Sequence, residues 1–326
     1  MIDSKEIFIV QSNSDFEDLA FQIFKFQFEK NSVYRSFCDL LYKNPGDVSK
    51  IEDIPFLPIQ FFKSHKVLSS DKEVEKIFIS SGTTGSKTSS HYVTDLSIYE
   101  SSFNHGFKQF YGDFSDYTIL ALLPSYLERE GSSLIYMVQH WITASKKPKS
   151  GFYLNNLSEL KDTLIALDSK GEKVLLIGVS FALLDLVEAS QFNLKNTIIM
   201  ETGGMKGRRK ELVREELHSI LKKGFGVNKI HSEYGMTELL SQAYSNGDGI
   251  FKCPNWMRII TRDTEDNLTI QKAGKTGGIN IIDLANINSC SFIATQDLGK
   301  TYANNTFEII GRFDNSDIRG CNLLML

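Results

Sequence analysis

The residues best suited to chemistry gather in a few short stretches, and the densest is Ser80-Ser81-Gly82-Thr83-Thr84-Gly85-Ser86-Lys87, placed directly after the apolar run Lys76-Ile77-Phe78-Ile79. Two glycines let the backbone curl so that successive N–H groups point at one anion. The hydroxyls add neutral donors and Lys87 adds a positive charge, which together are the means of gripping a phosphate. The stretch is not a Walker loop, because Gly82 and Gly85 enclose two residues and Ser86 separates Gly85 from Lys87. In isolation such a loop is more often a polar turn between a strand and a helix. A second stretch, His231-Ser232-Glu233-Tyr234-Gly235-Met236-Thr237-Glu238, reads as a strand running into a helix, with Thr237 as N-cap and Glu238 complementing the helix dipole from the first turn. Cys38, Cys253, Cys290 and Cys321 are scattered without paired spacing. They indicate neither a disulfide framework nor a zinc site, so a cysteine that matters here acts as a thiol.

The elements that must position these residues follow from length and pattern. At 326 residues the chain exceeds the usual range of about 100–200 residues for one domain. With 41% hydrophobic and 23% charged residues it can bury a large core. A net charge of −4 supplies no electrostatic footprint for nucleic acid. Apolar runs such as Val174–Val179 fall short of the ~20 residues of a membrane span, and Met1 to Val10 lacks a basic segment followed by an apolar core. The expectation is a cytoplasmic protein with no membrane partner.

Ser14-Asp15-Phe16-Glu17 has the capping-box pattern and opens an amphipathic helix, and a second helix begins near Val33. Pro55 and Pro58 bar the segment 54–62 from a central strand or helix interior, so it is expected to wrap the core as an arm. Thr94–Phe110 reads as a helix and Tyr117–Leu123 as a buried strand. Strands at Val174–Val179 and Thr197–Met200 alternate with helices at Leu157–Leu167, Phe181–Ala189 and Arg209–Lys222. That alternation is the signature of an α/β fold with a parallel sheet covered on both faces. From Trp256 the texture changes to short β runs at 257–261, 268–271, 278–282, 291–294 and 307–310, which predicts a mostly antiparallel subdomain. The expected division is an α/β region over 1–250, a β subdomain over 251–310 and a hinge-like tail over 311–326.

Tyr234-Gly235-Met236-Thr237-Glu238 following the Ser80–Lys87 loop resembles the paired signature of the acyl-adenylate-forming enzymes. Two further segments come in that family's order. Ala294-Thr295-Gln296-Asp297-Leu298-Gly299 resembles its ribose-binding segment, and Gly311-Arg312-Phe313-Asp314 resembles the hinge that ends its large domain. More narrowly, Pro55 to Lys63, Glu201-Thr202-Gly203-Gly204-Met205-Lys206-Gly207-Arg208, and Gly311 to Cys321 resemble the fatty acyl-protein synthetases of the LuxE type, relatives of phenylacetate–CoA ligases. The similarity spans from about Pro55 to the end.

That resemblance implies the large domain of adenylate-forming enzymes and ATP-dependent activation of a carboxylic acid as an acyl-AMP, followed by transfer to a thiol. It further implies that Ser80, Ser81, Gly82, Thr83, Thr84, Gly85 and Lys87 hold the β,γ-phosphates. Gly203 and Gly204 would pass close to the adenine, with Tyr234 stacking on it and Gly235 following in the motif. Thr237 would bond the α-phosphate, Glu238 would hold Mg²⁺, Asp297 would accept from the ribose hydroxyls, and Arg312 would steady ribose or phosphate. Cys321 stands where the luminescence-type synthetases carry a nucleophilic cysteine, and is expected to be the acyl acceptor. Its competing role is packing, since apolar Leu323, Leu324, Met325 and Leu326 follow it.

Adenylate-forming enzymes usually continue into a mobile lid whose lysine contacts the α-phosphate, whereas this sequence stops at Leu326. The full lid is therefore expected to be absent, with another group, a partner subunit, or nothing replacing that lysine. The luminescence-type synthetases act with a reductase and a transferase, which implies a protein partner that accepts or reduces the acyl group. The nearest rival reading is an aryl- or fatty-acid CoA ligase, which would add CoA to the cofactors. A third is a non-catalytic subunit that binds acyl groups or nucleotide. Lys206, Arg208, Arg209, Lys210 and Arg214 form a basic run read first as a solvated face. His105 and His140 read as surface or packing residues, and Pro124–His140 suits either an acyl pocket or core packing.

Overall fold

The computed structural model describes residues 2–81, 87–124, 131–203 and 212–313. The chain opens with α1 (Ser4–Ile7), α2 (Asn13–Lys30) and α3 (Ser32–Leu40), followed by β1 (Leu57–Pro58), α4 (Phe61–Ser64), β2 (Lys76–Ile79), β3 (Ser90–Val93) and α5 (Leu96–Tyr111). An alternating stretch comes next: β4 (Thr118–Leu122), α6 (Ser133–Ser145), β5 (Gly151–Phe152), α7 (Leu157–Ser169), β6 (Val174–Gly178), α8 (Ser180–Ala189), β7 (Thr197–Glu201) and α9 (Arg214–Phe225). The rest is β8 (His231–Tyr234), β9 (Ala243–Ser245), β10 (Ile250–Lys252), β11 (Met257–Arg262), β12 (Thr276–Asp283), β13 (Phe292–Thr301) and β14 (Thr306–Arg312). No helix among the described residues is long and apolar enough to cross a membrane.

Two compact units emerge. One takes Phe103–Met236 and Gln242–Phe251; the other takes Met1–Ser102, Thr237–Ser241 and the chain from Lys252 onward. In the first, the strand order is β10-β9-β8-β7-β6-β4-β5, with parallel pairing from β5 through β8 and an antiparallel β8–β9 pair. Every residue of β4 and β6 is buried, as expected for strands covered on both faces. Leu160 and Leu164 of α7, Leu183 and Leu186 of α8, and Leu217 and Leu221 of α9 join Leu120, Leu176 and Ile199 of the sheet in one apolar core. The helix read over Arg209–Lys222 runs from Arg214 to Phe225; Arg209, Lys210 and Glu211 lie outside the described residues.

In the second unit, β11, β12, β13 and β14 form an antiparallel sheet, and β1 adds to β13 in parallel, pairing Leu57 with Ile293 and Pro58 with Ala294. The arm is anchored through Ile59 N–H, which donates to Ala294 O at 2.9 Å. The N-terminal helices dock on this same sheet. Buried Gln27 donates to Asn286 O (2.9 Å) and Ile287 O (3.0 Å) and accepts from Ser291 N–H (3.0 Å), while Tyr34 stacks on Phe292. The cap of α2 is Ser12 rather than Ser14. Ser12 Oγ accepts from Asp15 N–H at 3.1 Å and the Asp15 carboxylate accepts from Ser12 N–H at 3.0 Å, so the reciprocal pair starts two residues earlier.

Three further expectations change. The glycine-rich loop joins two antiparallel strands, β2 and β3, instead of a strand and a helix, because Ser90-His91-Tyr92-Val93 alternates buried and part-exposed side chains as a strand does. The run 268–271 contributes only an isolated Ile270–Arg262 bridge, since Asp263 and Asp266 turn the chain by taking local N–H groups. No helix follows Tyr234, which passes through a turn into β9.

Candidate nucleotide site

The turn that replaces the expected helix is tied down by side chains distant in sequence. The Thr237 carbonyl accepts from His91 Nδ1 at 2.8 Å, and the Glu238 carbonyl accepts from Asn286 Nδ2 at 2.8 Å. Asp283, fully buried, accepts from Leu240 N–H (2.9 Å), Ser241 N–H (3.0 Å) and Ser241 Oγ (2.6 Å). Backbone groups that a helix would have paired internally are satisfied here from β3, the 3₁₀ turn Leu284–Asn288 and the end of β12. Thr237 is therefore not an N-cap, and Glu238 has no helix dipole to complement. Burial raises the Asp283 carboxyl to about 6 against the pull of its donors, so it is ionised at neutral pH. Asp283→Asn is expected to cost about 3 kcal/mol, because an amide nitrogen would face buried N–H donors. Urea denaturation at pH 7.5 checks this, and a loss below about 1 kcal/mol would contradict the clamp.

Glu238 itself is 5% exposed. Burial raises its pKa, opposed by the Ser89 hydroxyl, its own backbone N–H and the charges of Arg312 and Lys63. Arg312 Nε also donates to Asp297 Oδ1 at 2.7 Å, pairing a half-exposed guanidinium with a buried carboxylate. Asp297 is held from behind by its own N–H, which donates to Thr295 Oγ1 at 3.1 Å. One unit thus brings Glu238, Asp297 and Arg312 into a single electrostatic neighbourhood. The same unit holds Ser80 and Ser89, which close the base of the glycine-rich hairpin: Ser80 N–H donates to Ser89 O (3.1 Å) and Ser89 N–H to Ser80 Oγ (2.9 Å). Ser81 and Lys87 flank the loop and are exposed. Gly82, Thr83, Thr84, Gly85 and Ser86 lie outside the described residues.

The other unit carries the residues assigned to the adenine. Gly203 N–H donates to Glu201 Oε2 at 2.7 Å, and Ser180 Oγ donates to the same oxygen at 3.2 Å. Burial alone would raise the Glu201 carboxyl, but His218, Arg214, Ser232 and Gly203 outweigh it and hold it at about 2. Arg214, from the basic run, lies 3.9 Å from Glu201 and 5.0 Å over the Phe251 ring, and Phe251 meets Tyr234 at 6.0 Å. Arg214 is therefore held against Glu201 and Phe251 rather than standing free on a solvated face. Gly204 and Met205 to Lys210 lie outside the described residues, as do Cys321 and the segment following Phe313.

Glu233 folds its carboxyl against Gly235, where a methyl group would collide with it. Burial, and then the charge of Glu201, raise Glu233 to about 8. A carboxyl whose folded pKa lies above its unfolded one stabilises the fold at low pH and loses that contribution as pH rises through the folded pKa. Stability is expected to fall between about pH 4.5, the free carboxyl value, and pH 8 by up to about 1.4 kcal/mol per pH unit, and Glu233→Gln should flatten this slope. Parallel urea titrations of both proteins test it; coincident slopes would refute the assignment.

His105 is exposed on α5, and His140 packs edge-on to Phe103 at 5.1 Å. Between Pro124 and His140, residues 125–130 lie outside the described residues, and Ile135, Met137 and Val138 are buried in α6. The clamp residues His91, Asp283 and Asn286 and the anchor Glu201 escaped the sequence reading of the site. A signal existed only for Asp283, a lone acid ending the apolar strand Ile279-Asn280-Ile281-Ile282.

The fold is that of the adenylate-forming ligases. A 2-hydroxyisobutyryl-CoA ligase in the postadenylation state superposes with a TM-score of 0.66 at 11% identity, over 93% of this chain and 68% of that one. ATP-bound MatB from Rhodopseudomonas palustris gives 0.54 at 15% identity over 74% of this chain, which spans about half (49%) of the MatB chain. The family model described as acyl-protein synthetase, LuxE, matches residues 10–116 and 138–326, and the chain belongs to that family. Its relatives include the long-chain-fatty-acid–luciferin-component ligases of Vibrio harveyi (25% identical over 93% of this chain and 85% of the relative) and Aliivibrio fischeri (24%, 95% and 87%).

Proposed function

We propose that this protein uses ATP to activate a fatty acid as an acyl-adenylate in the cytoplasm and passes the acyl group to a thiol. The observation that carries this reading is the buried Glu238 carboxyl, fixed by a side-chain-clamped turn and sharing the field of Arg312 with Asp297. Membership of the acyl-protein synthetase family supports it, as do the fatty-acid ligases among the relatives.

Asp297 accepts from the ribose hydroxyls, Tyr234 stacks on the adenine, Thr237 bonds the α-phosphate, and Lys87 with the glycine-rich loop takes the outer phosphates. The donor set suits Mg²⁺. Among the described residues no three His, Cys, Asp or Glu side chains form a cage, and Mg²⁺ is commonly held by one or two carboxylates plus substrate phosphates, the part Glu238 would play. When bound, the ion offsets negative charge on the phosphates. The substrate carboxylate is ionised at neutral pH and attacks the α-phosphorus without a general base, releasing pyrophosphate. A thiolate then attacks the acyl carbon and AMP leaves. A panel of fatty and aryl acids assayed for acid-dependent ATP–pyrophosphate exchange tests the proposal, and no exchange with any acid would overturn it.

A further inference from the structure

The strand carrying Asp297 is irregular at the motif itself. Gly278 of β12 pairs with Leu298 and Asn280 pairs with Ala294, so Thr295, Gln296 and Asp297 together stand opposite Ile279. The register shifts again toward β14, between Leu298 and Gly299. A bulge of this kind re-aims side chains and leaves ladder groups without strand partners. Arg262 fills that gap. The residue is 6% exposed, and its guanidinium donates from Nη1 to Ile279 O (2.8 Å) and Asn280 Oδ1 (2.7 Å) and from Nη2 to Thr295 O (2.6 Å). Thr295 Oγ1 donates to the same Ile279 carbonyl at 2.9 Å and accepts the Asp297 N–H. On its other side the guanidinium faces the Phe313 ring at 5.7 Å, and Phe313 N–H donates to Gln296 O at 2.8 Å.

We infer that Arg262 is a positioning residue for the nucleotide: it holds the β13 bulge that presents Asp297, and it seats Phe313 so that Arg312 lies against that carboxylate. The role in catalysis rests on the proposed function; the role in holding the bulge does not. A planar fork is needed to reach three acceptors on two strands, which a lysine cannot do. The seat is built for it as well, since a methyl at Gly278 would come within 2.6 Å of the guanidinium carbon. Burying the cation draws its pKa down to about 10, countered by Asp297, so it stays charged at neutral pH.

The test compares wild type with Arg262→Lys, Arg262→Met and Gly278→Ala, the last keeping the arginine but crowding its seat. Amide hydrogen exchange over 295–297 and at Phe313 should quicken in all three relative to strands of the other unit. In acid-dependent ATP–pyrophosphate exchange, the KM for ATP should rise about tenfold while kcat stays within about threefold, with Arg262→Lys no better than Arg262→Met. Unchanged amide exchange in the folded variants would overturn the structural role. Quickened amides with an unaltered KM for ATP, or full rescue by lysine, would overturn the positioning role. A wild-type protein that neither binds ATP nor exchanges pyrophosphate would instead sink the proposed function, and the amide data would still decide whether Arg262 holds the bulge.

Discussion

In Glu238→Gln, Mg²⁺-dependent ATP–pyrophosphate exchange is expected to fall by about 100-fold or more, while the protein melts at or slightly above the wild-type temperature. The two effects have one cause. The Glu238 carboxyl is almost entirely removed from water, and burial raises its pKa despite the Ser89 hydroxyl and the charges of Arg312 and Lys63. An isosteric amide avoids the desolvation of a charge and leaves the turn intact, since Asn286 holds the Glu238 backbone carbonyl and not its side chain. What the amide lacks is the charge that a hard divalent cation requires. Had the residue served a helix dipole, the variant would lose about 0.3–1 kcal/mol and keep its activity. Exchange kinetics across a Mg²⁺ titration, with calorimetric melting alongside, separate the two roles; normal exchange in the variant would remove Glu238 from the chemistry.

Cys321→Ser is expected to abolish covalent acyl labelling altogether while leaving acyl-AMP formation in place. Thioester formation needs a thiolate, and the other three cysteines are poorly placed to supply one. Cys38 and Cys290 are fully buried, and burial pushes the Cys38 thiol up to about 12 and raises Cys290 too; Cys253 is only partly buried, with burial and then the nearby Asp283 carboxylate opposing its ionisation. Arg319 stands two residues before Cys321 in the sequence, and a neighbouring cation favours the thiolate that attacks an acyl-adenylate. Wild type incubated with ATP, Mg²⁺ and a labelled fatty acid should carry a hydroxylamine-labile label on a denaturing gel. A variant labelled as strongly as wild type would clear Cys321 of the role. A wild type that never labels but produces acyl-CoA would favour the CoA ligase reading.

Much of the architecture is local and therefore legible in one dimension. The fully buried strands 118–122 and 174–178 and the helices between them are written in apolar runs and 3.6-residue periods, because each element must bury one face wherever it ends up. The Ser80–Lys87 stretch and the Tyr234–Glu238, Thr295–Gly299 and Gly311–Phe313 segments also stood out, since short runs of unusual composition need no partner to be noticed. What the sequence could not reveal is how those runs are held. Thr237 and Glu238 look like a helix start by composition, and only the tertiary structure turns them into a loop, by supplying His91, Asn286 and Asp283 from 40 to 150 positions away to satisfy the backbone groups a helix would have paired. Arg262, Gly278 and the bulge at Asp297 share this character. Residue types and local periods decide the core strands and the helices that cover them. The long-range hydrogen bonds that aim the side chains of the site depend on register and packing, and these exist only once the chain has closed on itself.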